Sequence, residues 1–220
     1  MVTRALCAID EWYHCFNRGT DKRMVFLDEK DYERFLMLLY ASNGTNPIWI
    51  SSKISPVLED FLKDESIERG EPLVEIGAYA LMPNHPHIVL KQIRENGIAR
   101  FMQKVFTGYT MYFNLKYSRT GALFAGTYKA KHISNDTYLK KVISYVLMNP
   151  AELFESEWKK GVANIDTLEK KLLGYRYSSL PDFFGIVRTE NKIITDIGGH
   201  YDSVPNLNEM LSEAQEYYQD

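Results

Sequence analysis

The chain has 220 residues, enough for one well-buried core, and its 45% hydrophobic and 25% charged content excludes a disordered or fibrous class. The net charge of −3 hides an uneven distribution: Lys91 to Tyr145 holds ten basic residues against two acids, which makes that segment +8 and leaves −11 for the rest. No run of eighteen apolar residues occurs, and the opening "MVTRALCAIDEWYHCFNRG" lacks the long apolar stretch of a secretion signal, so the expectation is a cytoplasmic protein with no membrane segment.

In chain order, a strand is expected around Glu11 to Asn17, then a helix from about Glu29 to Ala41 whose Tyr32, Phe35, Leu36, Leu39 and Tyr40 recur at helical spacing. Asp28 reads as its N-cap and Asn43-Gly44 as its stop. Residues 43 to 72 mix Pro, Gly, Ser and charge and read as an insertion, with a short amphipathic helix at Val57 to Asp64. Two extended runs follow, "LVEIGAYALM" and "HIVLK", with Pro83-Asn84 as a turn or kink. A long helix is expected from Gly97 to Lys116, a lysine-rich strand in "FAGTYKAKHIS", and a helix capped by Ser134 or Asn135 that ends before Pro150. Beyond Pro150 the sequence reads as irregular, with "YRYSSLPDFFG" the most ordered stretch and 186 to 220 an acidic tail. The order β-α-β-β-α-β-α predicts an α+β protein, helices layered on a mainly antiparallel sheet. Cys7 and Cys15, the only cysteines, match no zinc or redox spacing and read as reduced thiols.

Two features carry chemistry. In "YALMPNHPHIVL", His85 and His87 share one side of an extended chain, which suits a metal, although with five histidines in the chain the pair alone is weak evidence. In "TYLKKVISYVLMNP", Leu139, Val142, Ile143 and Val146 form a buried stripe, while Tyr138, Lys141, Tyr145 and Asn149 share another face. Asn149 offers a carbonyl oxygen as a third ligand. From position alone Tyr145 is more simply a packing residue. The basic segment suits a phosphate backbone, and a solvated lysine-rich surface accounts for it equally well.

The ordered set "YHCFNRGTDKRMVFLDEKDYERF", "YALMPNHPHIVL", "FMQKVFTGYTMYFNLKYSRTGALFAGTYKAKHI", "DTYLKKVISYVLMNP" and "YRYSSLPDFFG" resembles the REP-associated tyrosine transposases of the insertion-sequence-200-like superfamily, over about Trp12 to Gly185. The resemblance implies a ferredoxin-like HUH endonuclease domain over 1 to 185 that contains the 43 to 72 insertion. It implies Tyr145 as nucleophile, with His85, His87 and Asn149 as ligands of a divalent metal, Mg2+ or Mn2+. It further implies cutting and rejoining of single-stranded DNA beside hairpins through a 5′-phosphotyrosine. Arg100, Lys104, Lys129, Lys131 and Lys141 are then candidates for DNA contacts, and Phe124 and Tyr128 for base stacking. Members include dimers that exchange tyrosine helices and single-chain active sites, so a homodimer stays open.

Three departures stand out. Pro86 replaces a bulky apolar residue between the histidines and suits an edge strand or bulge best. The arginine expected after Asn-Pro is absent from "MNPAELF", and Thr127 stands where a basic residue is common. A catalytically silent DNA-hairpin binder is therefore the alternative, with a metal-dependent hydrolase unrelated to DNA a third reading that leaves the basic segment unexplained.

Overall fold

The computed structural model describes residues 7–51, 56–195 and 205–217, so parts of the segments read as insertion and tail, at 52–55, 196–204 and 218–220, lie outside the described residues. Strand β1 (Trp12–Phe16) leads into helix α1 (Glu29–Ser42) and the short α2 (Leu58–Lys63). A hairpin follows, β2 (Val74–Met82) and β3 (His85–Gln92), then α3 (Gly97–Lys116), β4 (Lys129–Ile133) and α4 (Asp136–Met148). The four strands form one antiparallel sheet in the order β2-β3-β1-β4, which is the ferredoxin-like arrangement.

Local chemistry explains the boundaries. Asp28 accepts from the Asp31 N–H at 3.1 Å, and the Asp31 carboxylate accepts from the Asp28 N–H at 3.4 Å, a reciprocal cap that starts α1. The Asn135 side chain accepts from the Tyr138 N–H at 2.8 Å to start α4, and at Asn149 the helix passes into a 3-10 turn because Pro150 has no N–H to extend the α ladder. Gly77 sits at an irregularity of β2, where an added Cβ would lie 2.8 Å from the Trp12 ring, so only glycine lets that ring close over the strand.

Both faces of the sheet are covered. Tyr13, Cys15, Ile88 and Leu90 share one buried cluster with α1 and α3, and Trp12, Ala78, Ala80 and Val89 share another with α4. The small side chains of Ala78 and Ala80 leave room for α4. Leu58, Phe61 and Leu62 of α2 belong to the first cluster, so the short helix within 43 to 72 is part of the core wall.

The chain after Pro150 is not irregular. A 3-10 turn (Asn149–Leu153) leads to α5 (Ile165–Leu173), α6 (Leu180–Phe183) and α7 (Leu207–Tyr217), and α7 buries Leu207, Met210, Leu211 and Ala214 against the α4 cluster. Apolar residues at helical spacing within an acidic segment gave α7 its partner face. The "YRYSS" stretch covers the outer edge of β2: Leu81 N–H donates to Tyr177 O and Ser179 N–H to Tyr79 O, each at 2.9 Å.

That edge contact also explains Pro86. Strand β3 is interior, contrary to the expectation of an edge or bulge. Pro86 faces Leu81, whose N–H turns outward to Tyr177, and pairing between β3 and β1 begins only at His87. The absent proline N–H therefore points past the end of β1, where no ladder bond is lost. Among the described residues, no helix is long and apolar enough to cross a membrane.

Candidate active site

The faces of β1 and β3 turned toward α4 bring three histidines together. His85 and His87 have ring centroids 4.7 Å apart, and His14, opposite Val89 in the register, stacks on His87 at 5.0 Å. His14 Nε2 and His87 Nδ1 are hydrogen-bonded at 2.8 Å, while His87 Nε2 and His14 Nδ1 are buried without a partner. His85 Nδ1 is held by the side-chain oxygen of Asn84. Each imidazole of the HxH pair thus has Nδ1 engaged and Nε2 left for another group, as in metal-ligating histidines, whose other ring nitrogen is held by a hydrogen bond.

Helix α4 supplies the rest. The Tyr145 ring stands edge-on to His87 at 5.5 Å and 89°, and to His14 at 5.5 Å. One turn later Asn149 donates its amide N–H to the Tyr145 carbonyl at 2.8 Å. His85, His87, Tyr145, Asn149 and Glu152 line one cavity of about 500 Å³ with Arg18 and Lys129 at its walls. No trio of His, Cys, Asp or Glu among the described residues is placed to hold a metal ion. Two amides line the cavity: Asn17, whose Nδ2 and Oδ1 are both held by backbone at Gly126 and Arg18, and Asn149, whose Nδ2 is held by Tyr145 O, so Asn149 is the amide whose oxygen suits a third ligand beside the histidines. Two imidazole nitrogens and an amide oxygen fit a divalent ion such as Mn2+, and a water- or phosphate-rich remainder fits Mg2+ as well.

Burial dominates the electrostatics. It pushes His85 down to about 4, helped by Arg18, and His14 down to about 3, helped by Lys131 and His85. His87 is pushed well below the usual imidazole range by burial and then by the other two histidines. All three are neutral at pH 7, as ligation requires. In the unfolded chain each titrates near about 6.5, so stability from this trio is present above that pH and lost as pH falls toward about 4. The metal-free protein should keep its urea midpoint from pH 8 to 7 and lose several kcal/mol by about pH 4.5, at up to about 1.4 kcal/mol per histidine per pH unit. Equal midpoints at pH 7.5 and 5.0 in the presence of a chelator would contradict a neutral buried trio.

No family model matches the chain, and no curated protein matches it. Among solved structures it is similar to a REP-associated tyrosine transposase bound to a REP hairpin, at 10% identity over 94% of this chain and 97% of that chain, with a TM-score of 0.49.

The basic residues singled out in the sequence divide into two groups. Lys129 and Lys131 sit on β4 opposite Phe16 and His14, and Lys129 lines the cavity. Lys141 lies one turn before Tyr145 and pairs with Glu216 at 2.7 Å. Arg100 and Lys104 belong to α3 on the other face of the sheet, and the Lys104 ammonium donates to Gly44 O at 2.7 Å. They are not brought to the cavity. Phe124 is buried edge-on against Phe106, and Tyr128 is half-buried.

Helix α7 closes the far side. The Tyr217 ring packs 4.1 Å from that of Tyr145, Lys131 Nζ lies 5.0 Å from the Tyr217 ring centre, and Ser144 Oγ donates to Glu213 at 2.5 Å. Sequence reasoning missed His14, Arg18, Asn84, Glu152 and Tyr217. His14 had one usable signal: in "WYHCF" it alternates with apolar residues on a strand, where a buried histidine needs a partner.

Proposed function

We propose that this chain cuts and rejoins single-stranded DNA beside hairpins, with Tyr145 as nucleophile and His85, His87 and Asn149 holding Mg2+ or Mn2+. The observation that carries this reading is a single cavity lined by the histidine pair of β3 and by a tyrosine from α4 that stands edge-on to His87, with an amide one turn away. The resemblance of five ordered motifs to the REP-associated tyrosine transposases points the same way.

The phenolic oxygen of Tyr145 attacks phosphorus, the bond from phosphorus to the 3′-oxygen breaks, and the strand ends as a 5′-phosphotyrosine and a free 3′-hydroxyl. The phenolic proton is lost as the new bond forms, and the departing oxygen takes one up. A phenolate is a fair leaving group, so the reverse attack by a 3′-hydroxyl reseals the strand without ATP. A divalent ion, when bound, withdraws charge from a non-bridging phosphate oxygen and so lessens repulsion of the nucleophile. In this reading Arg18 and Lys129, at the cavity walls, hold the phosphate, and His14 holds His87.

A second reading, a silent DNA-hairpin binder, draws support from α7, whose Tyr217 and Glu216 occupy Tyr145 and Lys141. Labelled hairpin oligonucleotides from the DNA flanking the gene, incubated with Mn2+ and resolved on a denaturing gel, separate the two. A covalent protein-DNA band that disappears with excess chelator is the expected result. Binding without any such band across several flanking hairpins would replace the nuclease with the silent binder.

A further inference from the structure

Beside the histidine cavity lies a second one, of about 420 Å³, between α3 and the 122–128 loop. The two share a wall, since Asn17 lines both. That wall is braced by backbone: Asn17 Nδ2 donates to Gly126 O at 3.2 Å, and its Oδ1 accepts from the Arg18 N–H at 2.9 Å. Ala125 N–H donates to Arg18 O at 2.8 Å and Thr20 N–H to Leu123 O at 3.0 Å, which fastens the loop to the segment after β1. The two cavities are therefore held at a set separation.

Their linings differ in kind. Arg18 and Lys129 line the histidine cavity, whereas no charged side chain lines the second. Its floor is buried Met102 and Leu123, its walls carry the half-buried rings of Phe106 and Tyr128, and its rim carries Gln103 and Thr107. Phe106 is fixed edge-on to Phe124, with centroids 4.6 Å apart. Such a space is poor for a phosphate, which would find no cation, and poor for an aliphatic chain, which would strand amide and hydroxyl groups. A flat ring with polar edges satisfies both the aromatic walls and the polar rim.

We infer that this cavity takes one unpaired nucleobase of the strand whose phosphate lies in the histidine cavity, with Tyr128 and Phe106 against the ring and Gln103 and Thr107 at its edge. The inference rests on the DNA reading above and adds to it a sequence-reading or strand-positioning subsite. It also gives the exposed residues of α3 near the loop a role that the histidine site does not use; Met111, 63% exposed, is one of them.

The test is a binding cycle between protein and DNA. Single-stranded oligonucleotides from the flanking DNA, each with one abasic position, are titrated against the wild type, Tyr128→Ala and Thr107→Trp. Thr107 is exposed, so the tryptophan fills the cavity without emptying the core, and unchanged Mn2+ affinity verifies that the neighbouring cavity is intact. At one position removal of the base should weaken wild-type binding about tenfold and leave both variants unaffected, the loss expected for one stacked base. Equal penalties in wild type and variants at every position would overturn the base pocket, and a metal-dependent covalent band in the same preparations would show the nuclease reading still standing. Failure of the wild type to bind any of these strands, with or without Mn2+, would overturn both.

Discussion

Tyr145→Phe should abolish the covalent protein-DNA band and lower cutting by at least about 10³-fold, as loss of a nucleophile does in other enzymes. Hairpin affinity should change by less than about twofold, because the substitution removes one half-buried hydroxyl and leaves the ring packing in place. The separation is clean for a structural reason. The ring packs against His14, His87 and Tyr217 at centroid distances of 5.5, 5.5 and 4.1 Å, and phenylalanine keeps all three contacts. Only the oxygen is lost. Denaturing gels read the adduct, fluorescence anisotropy reads binding, and an adduct that survives in the phenylalanine variant would move the nucleophile elsewhere.

The second large effect concerns His14. For His87 Nε2 to present a lone pair to a metal, Nδ1 must carry the proton and donate it to His14 Nε2, 2.8 Å away. His14 then holds its own proton on Nδ1. His14→Leu removes the acceptor and leaves the His87 N–H buried, which favours the other tautomer and turns Nε2 from ligand into donor. Mn2+ affinity, measured by calorimetry without DNA, should fall about 10- to 100-fold, the usual cost of losing the hydrogen-bond partner that orients a ligating histidine. His14→Gln, whose side-chain oxygen accepts the same proton, should recover most of that loss. If leucine and glutamine bind Mn2+ equally well, His14 is packing and does not orient the ligand.

Much of the architecture was legible because it depends on short-range rules. The reciprocal cap at Asp28, the Asn135 cap, the stop at Pro150 and the period of the α3 stripe act within a few residues, so α1, α3 and α4 lie close to where the sequence places them. The strands show in the same way, and the central hairpin makes the antiparallel sheet readable. The region after Pro150 was misread because its acidity masks a sparse apolar stripe, and α7 becomes a helix through packing on α4. Pro86 misled for a related reason: its suitability depends on where β1 ends.

Alternation along a strand decides by itself that His85 and His87 share a side, and helical spacing decides that Tyr145 and Asn149 share one. Neither periodicity says that the two pairs meet. That meeting needed the order β2-β3-β1-β4, with α4 laid across the β1 and β3 face, and it brought in His14 from β1 and Glu152 from the turn after α4. The same layering set Arg100 and Lys104 on the opposite face, although they lie in the same basic run as Lys129 and Lys131. Local geometry acts over one turn or one pleat and is written in adjacent residues. Proximity between β1, β3 and α4 arises only when their buried faces exclude water together.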